Sequence, residues 1–526
     1  MKISHSKIFQ LKFSAQAYLI IVVAVIGILF RFGNLDLKVY WQDEALTSLQ
    51  VAGYKQAEFI KTAFNSEITT PSALQRYQEI DPDRGVFDTI KALAEETPEH
   101  PPLYFAALRI WANFFGSSVA AYRNFSALIS LLILPCIYYL CLELFGSPRV
   151  GYFGVAIAAL SPFLIEYAQE ARQYSLWMVA ILISSQTLLR AMRLNTWQSW
   201  SIYAVTLVFS FYTHLFSIFI LFAQGFYVLA IGNFRLDRTF RAFMSAAIAG
   251  ILAFVPWIVT FLTHLTEFNR SMSWTYRLYC SPLDLLRTWL TLPRMLFFNL
   301  DLPRIGFFST YYFVAVVTTL FSGYAIYFVV RNTKPKVWLL LLTLTVIPLL
   351  FLAIPDLLKG GTRSTNARYL TPAYLGIEIC VAYLLATQTM LATNRKLWQI
   401  GFATLLSIST LAGAINLTMN YSYGKDKAIV TNANSIDSGS QSLLIANPHD
   451  YNPMKVLALS KRLNSDIKIQ LLPETKTPTI PNGFKNYYFY SPQVPPSWKQ
   501  FVKNSAFESI KISKNNNEIL WVYRKK

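Results

Sequence analysis

The chain of 526 residues is short of charge: Asp, Glu, Lys and Arg make up 14% of it, against about a quarter in ordinary soluble domains. Acids are the scarcer sign, 28 against 47 bases, which leaves a formal net charge of +19. With 54% hydrophobic residues and a mean hydropathy of +0.36, this excludes a soluble globular fold. Cysteine is also scarce. Cys136, Cys141 and Cys380 lie inside apolar runs and Cys280 stands alone in a loop, which is neither a disulfide framework nor a metal-binding spacing. There is no P-loop, no dinucleotide fingerprint and no inverted repeat of the kind found in many transporters. The positive excess does not point to nucleic acid. Lys and Arg fall in short clusters between apolar runs, as in cytoplasmic loops, and not as one basic face.

What the chain does have is long apolar runs. The first, residues 15–32, is long enough to cross a hydrocarbon core of roughly 30 Å. Lys2, Lys7 and Lys12 precede it and few cations follow, which puts the N-terminus in the cytoplasm. It is too long for a signal-peptide core and lacks a small-residue cleavage site, so it reads as a retained span. A polar stretch, 33–99, and a short apolar segment at 100–116 containing Arg109 come next; the segment reads as interfacial. Further runs at 120–145, 150–165, 175–189, 201–212, 215–231, 243–262, 308–330, 337–354, 371–391 and 397–417 bring the count to about eleven crossings, and to thirteen at most. The basic clusters at 147–149, 190–193, 235–241, 331–336 and 395–396 then all face the cytoplasm, as the positive-inside rule requires.

From residue 423 the composition turns polar. Strand-like runs at 443–446, 467–472, 487–490, 510–512 and 519–523 alternate with helical patterns at 454–463 and 498–502. The expected fold is a polytopic α-helical membrane protein with a small C-terminal α/β domain on the extracytoplasmic side. The expected domains are 1–422, with a large first outer loop at 34–118 carrying interfacial helices, and 423–526.

This topology gathers Asp43, Glu44, His100, Arg123, Glu166, Glu170, Arg172, His214, Arg363 and Arg368 on the outer face. Ionisable groups at membrane depth cost a few kcal/mol and tend to face a cavity or a partner. Arginines can fork onto phosphate, and a carboxylate can take a proton from a hydroxyl. Each residue also has a plainer reading. Asp43 and Glu44 would cap a helix starting at Ala45, worth less than about 1 kcal/mol. Arg172 would pair with Glu166 or Glu170 along a helix. His100 would be a turn residue, His214 an interfacial imidazole, and Arg368 a side chain snorkelling to headgroups.

Six short pieces, in order across residues 15–390, resemble the GT-C class of membrane glycosyltransferases. They are Asp43-Glu44 after the first span, His100-Pro101-Pro102-Leu103-Tyr104, Arg123-Asn124-Phe125-Ser126, Glu170-Ala171-Arg172-Gln173-Tyr174-Ser175, Tyr212-Thr213-His214 and Ala367-Arg368-Tyr369-Leu370-Thr371-Pro372. The similarity is to the branch of the dolichyl-phosphate-mannose protein mannosyltransferases and the lipid A aminoarabinose transferase. The resemblance implies transfer of a hexosyl or pentosyl group from a polyprenyl-phosphate donor to a hydroxyl of a cell-envelope lipid, glycan or protein. It places the reaction on the outer face of the cell (inner) membrane. It implies Asp43 as base, Glu44 as its partner in positioning acceptor or donor, and Arg172 and Arg368 on the lipid phosphate. His100, Tyr174, His214, Tyr369 and Arg123 would line the donor cavity. Single displacement would invert the anomeric centre, whereas a covalent glycosyl-enzyme on Asp43 or Glu44 would retain it. No cofactor is expected; Asp43, Glu44 and a histidine are the set a divalent ion would use. The partners implied are donor, acceptor and bilayer, without nucleic acid. A transporter or flippase of lipid-linked sugars is the main rival, followed by an envelope scaffold acting through its C-terminal domain.

Overall fold

A computed structural model describes residues 15–277, 280–300, 309–421, 427–439, 441–449, 452–474, 481–491, 507–515 and 518–525. Lys2, Lys7 and Lys12 and the helical pattern expected at 498–502 lie outside the described residues. Among the described residues, seven helices are long and apolar enough to cross a bilayer: Val119–Phe145, Tyr174–Leu194, Arg238–Thr263, Thr310–Asn332, Pro335–Lys359, Ala367–Leu391 and Arg395–Thr418. The pair Pro148–Leu160 and Pro162–Ala168, bent by 59°, makes an eighth. The chain is a multi-pass membrane protein. Ala15–Phe32, Trp197–Thr213 and Ser217–Ile231 are also helical, with 18, 17 and 15 residues. The expected eleven crossings would need all three, each below the roughly 20 residues of a typical span.

The bend in the Pro148–Ala168 pair has a local cause and a local repair. Pro162 lacks the N–H that would reach the carbonyl of Ala158, so the helix breaks at Ser161. The fully buried Arg31, on the first helix, supplies the missing donors. Its Nη2 donates to Ala158 O at 2.9 Å and its Nη1 to Ala159 O at 2.6 Å. The two helices can approach this closely because of Gly27, where a Cβ would stand 2.3 Å from Ala159 O. Residues 169–173 then form the turn that leads into the Tyr174–Leu194 helix.

Among the described residues, six strands form one sheet: β1 (Ile68–Thr69), β2 (Ser442–Ala446), β3 (Lys468–Leu471), β4 (Asn486–Ser491), β5 (Phe507–Asn515) and β6 (Glu518–Lys525), in the order β1-β3-β2-β4-β6-β5. β2 runs parallel to β3 and β4, and the remaining pairs are antiparallel. β1 belongs to the stretch that follows the first helix, so the sheet joins two parts of the chain that the sequence separates. The two parts also share a core, in which Val39, Leu49, Phe59 and Tyr77 pack with Ile429, Met454, Leu457 and Ile469. The Asn452–Ser460 helix lies against the Gln42–Val51 helix. Val39 N–H donates to Asn420 O at 2.8 Å, and Arg462 donates to the carbonyl of Leu37. The stretch between the first helix and Val119 is therefore held on one side by the helical bundle and on the other by the C-terminal sheet.

Candidate active site

The Gln42–Val51 helix begins three residues earlier than expected, so Asp43 and Glu44 lie in its first turn and not before it. Trp41 stands at its N-cap without a side-chain capping bond. Consecutive helical residues point about 100° apart, and the two carboxylates diverge accordingly. Each finds its own arginine.

Glu44 and Arg123 form a closed pair. Their side chains are 1% and 3% exposed and their nearest atoms are 2.6 Å apart. Arg123 donates through Nε and Nη2 to the two oxygens of Glu44, through Nη1 to Leu35 O and Lys38 O, and through Nη2 to Val39 O. A guanidinium has five N–H donors, and all are used. Glu44 Oε1 also accepts from Ala171 N–H at 2.9 Å. The pair thus ties the Gln42–Val51 helix to three other pieces: the turn 35–39, the helical segment that carries Arg123 and the loop 169–173. Sequence had placed Arg123 among the donor-binding residues. The structure leaves it no N–H for a ligand, because backbone carbonyls and Glu44 consume them all.

Asp43 and Arg368 form an open pair, 2.6 Å apart with 21% and 12% of their side chains exposed. The Arg368 guanidinium is ringed by Trp41, Tyr174, Trp274 and Tyr369, whose centroids lie 5.3–5.9 Å from its carbon. Aromatic faces hold a cation while leaving its N–H donors available. Beside it, Arg172 donates to Thr47 Oγ1 at 3.0 Å and meets His100 Nε2 at 2.9 Å. Arg172 Nε and Arg368 Nε are both buried with no hydrogen-bond partner among the described residues. Unlike Arg123, these two arginines keep donors in reserve.

The histidines are neutral here. Arg172 can only donate, so His100 Nε2 accepts and the ring proton belongs on Nδ1; the Gln173 amide, whose nitrogen stands 3.2 Å from Nδ1, satisfies that proton when turned to present its oxygen. Burial, then Arg172, His214 and Arg368, hold the His100 pKa well below the ordinary imidazole range. His214 accepts from Phe216 N–H through Nδ1 at 3.1 Å and stacks on Trp177 at 4.1 Å. Burial, followed by Arg172 and Arg368, pushes its pKa down to about 3. Tyr174 lies 5.9 Å from the same ring. Asp43, Arg172, Arg368, Tyr369, Tyr174, His100 and His214 therefore gather at one place, and Glu44 with Arg123 backs it. Arg363 does not join them: it pairs with the buried Asp356 at 2.9 Å. Among the described residues, no three His, Cys, Asp or Glu side chains cluster as metal ligands.

Several neighbours carry no signal that sequence reasoning used. Lys38 and Gln169 meet at 2.7 Å, and Gln169 also donates to Phe30 O and Gly33 O, fixing the loop to the end of the first helix. Trp177 was detectable as the residue one turn after Tyr174. Glu99, buried beside His100, accepts from Ser271 through Oε1 and leaves Oε2 without a partner among the described residues. Burial raises its pKa to about 7, against the opposing pull of Ser271 and Arg172. Next to these groups, Lys38, Val39, Trp41, Glu44, Arg123, Glu166, Gln169 and Glu170 line a narrow, mostly polar cleft.

A polar, arginine-bearing pocket over a helical bundle, with paired acids after the first helix, defines the class: the chain has the fold of the GT-C membrane glycosyltransferases and resembles them along its length. The profile of the dolichyl-phosphate-mannose-protein mannosyltransferase family matches residues 99–260, a stretch that holds His100, Arg123, Arg172, Tyr174 and His214. ArnT from Cupriavidus metallidurans in the apo state is similar over 97% of this chain and 98% of its own, with 12% identity and a TM-score of 0.53. The same protein bound to undecaprenyl phosphate gives 11% identity and a TM-score of 0.51 over the same shares. No curated protein matches the sequence significantly.

Proposed function

We propose that the protein transfers a glycosyl group from a polyprenyl-phosphate donor to a hydroxyl of a cell-envelope acceptor, at the pocket between Asp43 and Arg368. The observation that carries this reading is the open pair itself. A carboxylate is held beside an arginine in an aromatic cage, and a second arginine with an unused donor stands next to it. In the reaction, Asp43 takes the proton of the acceptor hydroxyl as its oxygen bonds to the anomeric carbon. The bond from that carbon to the phosphate oxygen breaks, and the phosphate leaves with the electron pair. Arg368 and Arg172 hold its growing charge. Displacement in one step inverts the anomeric centre. Neutral His100 and His214 shape the pocket without adding charge, and Glu44 acts through Arg123 to fix the helix that carries Asp43. The mechanism asks for no nucleotide and no metal. The pocket opens on the outer face of the inner membrane, with the N-terminus in the cytoplasm and the C-terminal sheet outside.

The undecaprenyl phosphate in the similar ArnT structure supports a lipid-phosphate donor here. The test uses purified protein, radiolabelled polyprenyl-phosphate sugars and a membrane extract as acceptor source. Label moving into the extract is expected. Carrier flipping across liposomes with no transfer from any donor would overturn the reading in favour of a transporter.

A further inference from the structure

Residues 33–41, which connect the first helix to the helix that carries Asp43, have no regular secondary structure. Their backbone carbonyls get no partners from a helix or a sheet and must find donors elsewhere. Arg123 reaches three of them from the bundle, Leu35 O at 2.6 Å, Lys38 O at 3.0 Å and Val39 O at 2.9 Å. The carbonyl of Leu37, between these in sequence, goes to a different arginine: Arg462 donates to it through Nη2. The same Nη2 stands 3.5 Å from Asn420 O, and that oxygen also accepts from Val39 N–H at 2.8 Å. Two arginines far apart in the chain therefore pin one short connection.

Arg462 comes from the C-terminal part of the chain. It follows the Asn452–Ser460 helix, and its own N–H donates to Leu459 O at 2.9 Å, which fixes it to the end of that helix. The helix packs on Gln42–Val51 in a core that includes Leu49, Met454 and Leu457. Apolar packing is non-directional, so it holds Gln42–Val51 down without fixing how its first turn is presented. That is left to the connection. Trp41 and Asp43 stand where the connection becomes helix, and both meet Arg368, the indole centroid at 5.6 Å and the carboxylate at 2.6 Å. A pin at Leu37 acts a few residues ahead of both.

We propose that Arg462 is a positioning residue for glycosyl transfer: by holding Leu37 it fixes the connection from which Trp41 and Asp43 are presented to Arg368, and it makes the C-terminal sheet and its helix a working part of the site. This rests on the reading of the Asp43–Arg368 pocket as a polyprenyl-phosphate glycosyltransferase site. The test uses full-length purified protein and three variants. Arg462→Met keeps the apolar stem and removes the donors. A base misplaced by a fraction of an ångström loses much of its effect, so kcat for transfer from the glycosylated carrier is expected to fall by about tenfold. Affinity for sugar-free undecaprenyl phosphate needs the arginines of the pocket and not the base, and is expected to change by less than about twofold. The bond to Leu37 is single and not forked, so Arg462→Lys is expected to bring kcat back to within about threefold of wild type. Gln75→Leu is the control: it removes the bond from Gln75 Nε2 to Ser460 O, 2.7 Å, which ties the same helix end to the chain away from residues 33–41. Its kcat is expected to stay within about twofold of wild type. Wild-type kcat in Arg462→Met would overturn the proposal. So would an equal loss in Gln75→Leu, or a loss of carrier binding as large as the loss of kcat in Arg462→Met and unrelieved in Arg462→Lys, since either would make Arg462 a general docking contact. No transfer by wild type from any donor would instead overturn the glycosyltransferase reading, and this inference with it.

Discussion

Two neighbouring acids on one helical turn have been put to opposite uses. Glu44 sits in a pair so closed that every donor of its arginine is spent and almost no surface remains. Asp43 sits in a pair that is partly exposed, caged by rings and next to unused donors. A buried charge pair costs several kcal/mol to desolvate and repays it only with complete hydrogen bonding. The Glu44–Arg123 pair meets that condition and can serve as a fixed anchor. The Asp43–Arg368 pair does not meet it, which suits a site whose remaining bonds are to be made by a ligand.

The comparison breaks first at Arg123. Arg123→Leu strands Glu44 as an uncompensated buried charge and is expected to cost about 3–5 kcal/mol of stability, seen as a large drop in thermal midpoint in detergent. Arg368→Gln should behave the other way. Asp43 stays partly solvated, so stability should fall by only about 1 kcal/mol, while affinity for undecaprenyl phosphate, measured by competition, should fall tenfold or more, about 1.4 kcal/mol.

Acid sharpens the contrast through His214. Its pKa is about 3 in the folded protein and about 6.5 when unfolded. Below pH 6.5 the unfolded chain therefore binds the proton first, and stability falls as the pH drops toward 3, by at most about 1.4 kcal/mol per pH unit. His214→Phe, which keeps a ring against Trp177, should flatten that slope in thermal melts across the same range. Glu99 works with the opposite sign. Its folded pKa of about 7 lies above the ordinary 4.5, so its share of stability is full below pH 4.5 and is lost as the pH rises through 7. Glu99→Gln is expected to remove that loss, the smallest of these effects, and melts at pH 5 and pH 8 should read it.

The membrane class and the adjacency of the two acids were legible in composition and order. Their division of labour was not, because neighbouring helical residues face different directions and only the packed loop 169–173 shows which acid meets which arginine. Arg123 and Arg172 look alike in sequence; the carbonyls of Leu35, Lys38 and Val39 make the first structural. The run at 150–165 gave no sign of a 59° bend, although Pro162 and the late Arg31 in the first span were both in view. The strand-like runs at 443–446 and 487–490 fall within β2 and β4. β1 escaped because two residues carry no periodicity, and with it went the link between the outer loop and the C-terminal sheet.

The most direct test of the division is Asp43→Asn in purified protein. The amide keeps the shape of the side chain and removes the base. The account predicts an unchanged thermal midpoint within about 1 kcal/mol of stability, retained binding of undecaprenyl phosphate, and transfer from the glycosylated carrier reduced by roughly a hundred- to ten-thousandfold. Transfer at the wild-type rate from a folded Asp43→Asn protein would contradict it, and would move the base to another carboxylate of the pocket.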